Sequence, residues 1–190
     1  LVIAGTGFKM TIVPFHMWAA DVYEGAPTPV TAYLSVASKA AGLAFAFQIL
    51  YRVFGSWLTH WGVLIAVIAA LTMTLGNFVA IVQHNIKRFM AFSAISQAGY
   101  FLLGFLGGFS EGVPAMLFYL LVYIVSNLAA FGCIIWFANE TGKEQIEDYR
   151  GLSSTYPLMA LALMVALFSL AGIPPLSGFV GKFFLFSIAS

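Results

Sequence analysis

Residues 30–53 read VTAYLSVASKAAGLAFAFQILYRV, and this stretch decides the fold. At a rise of about 1.5 Å per residue, a helix of this length crosses a hydrocarbon core of about 30 Å. Lys39 lies nine residues in, roughly 13 Å deep by that rise. An ammonium at that depth does not easily snorkel to either surface. Its cost starts at about 3 kcal/mol, and such residues usually face the bundle interior or water and mark ion pathways. The alternative is a lysine paired for structure with an acidic residue on another helix. Either way the side chain is expected between helices, not against acyl chains.

The rest of the chain has the same character. Hydrophobic residues make up 62% and charged residues 8%, with a mean hydropathy of +0.97. A soluble domain is about half apolar and a quarter charged, so this chain is dissolved in lipid. The net charge is +1, and no basic tract or basic–aromatic interleaving occurs, which argues against a nucleic-acid partner. Cys133 is the single cysteine; it forms no internal disulfide and alone ligates no cluster or structural zinc. His16, His60 and His84 are scattered without metal-ligand spacing.

The expected class is an all-α polytopic membrane protein. The spans read as residues 1–13 plus 15–24, 30–53, 63–82, 89–109, 113–138 and 158–190. Pro14 breaks the first, and the run AGIPPLSG breaks the last near 171–178, because proline removes a helix hydrogen bond and collides with the preceding turn. Trp57 and Trp61, in the loop FGSWLTHWG, suit the lipid headgroup boundary. Ser93, Ser96, Gln97 and Gly99 give the 89–109 span a face packed on helices or water. His84–Arg88 reads as a tight polar turn, and 139–155 as a solvated loop with no assigned chemistry. Lys87, Arg88, Lys143 and Arg150 put the turn at 25–29, this polar turn and this loop on one side, cytoplasmic by the positive-inside rule. The chain starts and stops inside apolar stretches, as expected of a fragment of a longer protein.

Each broken span carries a lysine. Lys9 lies five residues before Pro14, and Lys182 seven after Pro175. Broken backbone at membrane depth is tolerated only where it is buried or lines a water-filled cavity, and transporters place ion sites there. On the topology above, the two broken spans cross in opposite directions, as inverted repeats do. Both lysines sit near the ends of the chain, so a snorkelling flank is the competing reading. Lysine suits proton work because burial and a nearby carboxylate bias its protonation in opposite senses. His16, two residues after Pro14, is either a bridge between lysines through water or a polar group that satisfies carbonyls freed at the break.

Three stretches, GFKMTIVPFHMWAADVYEGAPTPVTAYLSVASK, NIKRFMAFSAISQAGY and SLAGIPPLSGFVGKFFLF, carry a resemblance. Together they resemble the antiporter-like, proton-translocating membrane subunits of respiratory complex I. DVYEGAPTPV with SVASK is most similar to the branch of chain N of the bacterial NADH–quinone oxidoreductase. The resemblance implies an inverted-repeat helix bundle. It implies that Lys9 is the lysine of the first broken helix, partnered by a glutamate on a helix outside this sequence. Lys39 would be the lysine of the central hydrophilic axis, Lys182 that of the second broken helix on the exit side, and His16 a possible relay. It also implies no cofactor in this chain, with NAD(H), FMN, iron–sulfur clusters and quinone in partner subunits. The implied partners are the other membrane subunits of complex I and the lipid bilayer, and the implied location is the bacterial inner (plasma) membrane. Ala20 stands where the family usually has proline before Asp21, which touches no titrating group. The competing functions are a stand-alone or Mrp-type cation/proton antiporter subunit and the membrane subunit of an energy-converting hydrogenase.

Overall fold

The computed structural model describes residues 1–189 and, for Ser56, Leu58, Thr59 and His60, the backbone alone. Ser190, at the end of the expected last span, and the side chain of His60 lie outside the described residues. Among the described residues eight principal helices follow one another: α1 (Val2–Met10), α2 (Met17–Gly25), α3 (Thr28–Val53), α4 (Leu58–Ile81), α5 (Ile86–Leu103), α6 (Val113–Thr141), α7 (Pro157–Ala171) and α8 (Ser177–Ala189). Among the described residues no strand forms, and Asn85 and Gln145 make one isolated bridge. The stretches Thr28–Val53, Trp61–Ile81 and Gly108–Thr141 are long and apolar enough to cross a membrane by length and composition.

The two breaks divide α1 from α2 and α7 from α8. α1 stops at Met10, four residues before Pro14, because Thr11 turns into the left-handed region (φ 60°, ψ 37°). α7 stops at Ala171, where Gly172 takes φ 83°, the usual glycine device for ending a helix. The amide of Ile173 then folds back on the Phe168 carbonyl at 3.0 Å. Gly178 lets α8 start hard against α7: a Cβ there would lie 1.7 Å from the Ser169 carbonyl oxygen.

α3 begins with Pro29 in its first turn, a position where the missing amide costs nothing. It carries π-helical turns at Leu34–Ser38 and Ile49–Val53. Such turns occur often at functional sites, and the first ends directly before Lys39. α4 and α5 pack along their lengths. A Cβ on Gly99 would come within 2.7 Å of Met73 Cγ and 2.9 Å of its backbone nitrogen, so this small residue sets how closely the backbones approach. On α4, Ile65, Ile68, Ala69 and Thr72 are buried, while Val63, Val67, Leu71 and Phe78 form an exposed apolar stripe.

Two sequence expectations change. Trp61 is buried rather than set at the lipid boundary. Helix α4 starts earlier than the apolar run and turns the indole inward; its Nε1 donates to the Phe54 carbonyl at 2.9 Å, and its ring meets Tyr51 edge-on. Trp57 stays exposed. The polar turn ends at Asn85, whose side chain accepts from the amides of Lys87 and Arg88 at 2.8 and 3.2 Å. That cap satisfies two free donors, so Lys87 and Arg88 form the first turn of α5. The segment after α6 is mostly exposed, as expected of a solvated loop, and it is also tied to the head of α5. Glu144 pairs with Lys87 at 2.9 Å, and the Ile146 amide donates to the His84 carbonyl at 2.8 Å. Lys87 also donates to the Ala26 carbonyl at 3.4 Å, and Arg88 binds Asp21 and Glu24 at 2.9 and 2.7 Å. The segments around 25–29, 84–88 and 142–150 therefore meet at one end of the bundle.

Candidate functional site

A helix that ends inside a bundle leaves its last carbonyls without intrahelical donors and presents the negative end of its dipole. Both breaks offer such an end, and each meets a lysine. At the second break, Lys182 Nζ donates to the carbonyls of Leu170 and Ala171 at 2.7 and 3.0 Å. Its ammonium also lies 4.2 Å from the centre of the Tyr100 ring, a favourable cation–π contact. At the first break the lysine comes from α3. Lys39, 3% exposed, donates to Thr11 Oγ1 at 2.9 Å. Thr11 in turn donates to the Met10 carbonyl at 2.6 Å. Among the described residues no carboxylate pairs with Lys39 or Lys182.

The three lysines are not brought together. Lys9 sits in the last turn of α1 and is exposed; among the described residues it has no hydrogen-bond or ion partner. Its stem runs past Gly42 of α3, where an added Cβ would meet Lys9 Cγ at 3.4 Å. His16 is buried at the head of α2. Its Nδ1 is buried without a partner among the described residues, and it makes no direct bond to a lysine.

Near these lysines a set of buried, neutral polar groups pairs across helices. Ser35 lies one turn before Lys39 on α3. Its hydroxyl accepts from Asn127 Nδ2 at 2.5 Å, and its carbonyl accepts from the Tyr123 hydroxyl at 3.0 Å. The neighbour of Asn127, Ser126, shares a hydrogen bond with Ser169 at 2.7 Å. The next residue, Leu170, offers the carbonyl that takes Lys182 and also accepts from Gln97 Nε2 at 2.8 Å. Gln97 Oε1 accepts from the Tyr119 hydroxyl. Every one of these side chains is buried except Lys182, which is half-buried.

Reading the sequence singled out Gln97 as part of a packed face but passed over Thr11, Ser35, Tyr119, Tyr123, Ser126, Asn127 and Ser169. A signal was there. Tyr123, Ser126 and Asn127 recur at helical spacing on one face of an otherwise apolar span, the pattern of an interhelical polar seam. The break at the first site is also held from α4, where Thr72 Oγ1 accepts from the Val13 amide at 3.1 Å. Among the described residues no group of three or more histidine, cysteine or acidic side chains is placed to hold a metal ion.

All 190 residues match the family described as "NADH:quinone oxidoreductase/Mrp antiporter, TM". The chain is 51% identical over 185 residues to NAD(P)H-quinone oxidoreductase subunit 2 of Synechocystis sp., covering 97% of this chain and 36% of that protein. It is 48% identical over 186 residues to NADH-quinone oxidoreductase subunit N of Desulforamulus reducens, covering 98% of this chain and 39% of the relative. Among solved structures it superposes with a TM-score of 0.81 on a chain of respiratory complex I from Thermus thermophilus with bound aureothin. The two are 37% identical, with 98% of this chain and 40% of that one covered. The chain thus spans well under half the length of these relatives. With all 190 residues matched, the chain belongs to the NADH:quinone oxidoreductase/Mrp antiporter transmembrane family.

Proposed function

We propose that this chain is part of a proton-translocating membrane subunit of a redox-driven NADH–quinone oxidoreductase. It moves protons along the buried axis from the first break to the second. The observation that carries this reading is Lys39: an ammonium-bearing side chain at 3% exposure whose partner is a hydroxyl. A carboxylate would pin the charge by a strong ion pair. A neutral partner leaves the lysine free to hold or give up its proton as the surrounding charges change. The seam through Ser35, Asn127, Ser126 and Ser169 supplies buried donors and acceptors toward Lys182. Lys9 and His16 act at the entry, Lys9 against an acidic group outside this sequence.

On this reading the subunit has no redox centre of its own. NAD(H), FMN, iron–sulfur clusters and quinone belong to partner subunits, and the other membrane subunits of complex I are its neighbours in the bacterial inner membrane. The relatives named for the oxidoreductase favour this over a separate cation/proton antiporter, although the family description covers both.

The test uses the full-length subunit in its complex. Lys39→Ala is expected to lower proton translocation by about 10²-fold or more, the usual scale for a lost proton-transfer group, with assembly retained. Lys39→Arg is expected to rescue poorly, because arginine keeps its proton below pH about 12. Quinone reductase activity and proton uptake are measured in membranes at matched expression. If Arg performs as well as Lys, the proton-relay role fails.

A further inference from the structure

Thr11 is the one non-glycine among the described residues with positive φ. A β-branched residue in the left-handed region is a genuine outlier, and such strain persists where the surroundings over-determine it and clusters at functional sites. Glycine would make the same turn without strain. What glycine lacks is the hydroxyl, and here the hydroxyl has two partners. It accepts from Lys39 at 2.9 Å and donates to the Met10 carbonyl at 2.6 Å. The residue is 4% exposed, so bulk water does not replace either bond. The turn is held without the hydroxyl: the Thr11 amide donates to the Phe8 carbonyl, the Ile12 amide to Gly7, and the Val13 amide to Thr72. The side chain is therefore not required to end the helix.

We propose that Thr11 is a positioning residue that reads the charge on Lys39. With Lys39 charged, the ammonium donates to Thr11 Oγ1, and the hydroxyl hydrogen is held by the Met10 carbonyl. Once Lys39 has given up its proton, Nζ has a lone pair. The hydroxyl then rotates, donates to Nζ and lets go of Met10. Thr11 carries no proton onward; its O–H bond stays intact, and only the direction of one hydrogen bond reverses. The freed Met10 carbonyl is the last acceptor of α1, so the charge on a side chain of α3 sets the hydrogen bonding of the break. The other titratable groups at this break are Lys9 on α1 and His16 at the head of α2, and neither bonds Thr11 or Lys39.

This inference rests on the reading of Lys39 as a group that changes charge, and the experiment separates the two. In the full-length subunit within its complex, Thr11→Ser, Thr11→Val and Thr11→Gly are compared with Lys39→Arg at matched assembly. Proton uptake coupled to quinone reduction is measured in sealed membranes. Serine is expected to keep activity within about twofold of wild type. Valine and glycine are each expected to lose about tenfold or more, the scale of one lost hydrogen bond to a charged group. Glycine serves as the control that folds, since it accepts the φ that valine strains. If Thr11→Gly keeps wild-type activity, or serine fails as fully as valine, the hydroxyl switch is overturned. A fully active Lys39→Arg would instead overturn the titrating lysine, and the switch with it. Active Thr11→Gly beside inactive Lys39→Arg removes the switch alone.

Discussion

Gln97→Leu removes an amide at the point where the seam reaches the second break and puts a side chain of similar volume in its place. The structure gives Gln97 two bonds, a donation to the Leu170 carbonyl at 2.8 Å and an acceptance from the Tyr119 hydroxyl. Leu170 keeps Lys182 as a donor at 2.7 Å, so its carbonyl is not orphaned. Tyr119 is 2% exposed and loses its partner outright. A buried orphan of this kind costs about 1–3 kcal/mol, and the lost bond to Leu170 adds about 1 kcal/mol. Tyr119→Phe removes the orphan itself. Its combination with Gln97→Leu should then be less damaging than the sum of the two single changes by about 1–2 kcal/mol, within the range of coupling seen for residues in one network. The assay is the rate of thermal inactivation of the assembled complex for the two single variants and the double, at matched expression. Strict additivity would refute the reasoning, because it would mean that the two side chains share no hydrogen bond.

Two further outcomes follow from packing. Gly178→Ala places a Cβ 1.7 Å from the Ser169 carbonyl oxygen, whereas at Gly132 an added Cβ meets nothing within 4 Å; the first substitution is expected to abolish the assembled subunit and the second to leave its amount unchanged, as read by immunodetection of the complex in membranes. Cys133 is half-buried, with Sγ 3.9 Å from the Met159 carbonyl, a contact too long to fix anything. Cys133→Ala is therefore expected to leave proton uptake at the wild-type level, and a large loss with normal assembly would give the thiol a role that its surroundings do not explain.

The amino-acid sequence by itself determined what depends on local chemistry. An apolar run of sufficient length must be helical in lipid, because no water there satisfies an open backbone. Two prolines side by side in a glycine-rich stretch must interrupt a helix. A lysine nine residues into such a run must be deep, and its burial follows from the cost of its charge. Where the first helix ends was less legible. Pro14 announced a break, but α1 stops at Met10 because Thr11 adopts a backbone that its residue type disfavours, which no propensity indicates.

Only the tertiary structure decided the partners. Lys39 meets a hydroxyl 28 residues back in the chain, Gln97 a carbonyl 73 residues on, and Asn127 a serine 92 residues away. Serine, threonine and asparagine in apolar helices bond equally well to their own helix or to a neighbour. Which they choose depends on the rotation of whole helices, and that is set by packing over many residues at once. The same rotation turned Trp61 inward and left Lys9 exposed. It also closed Glu144 on Lys87, although the sequence around each reads as an ordinary solvated turn. Depth in the membrane is a property of position along a helix, which the sequence records; the face a side chain presents is a property of the bundle.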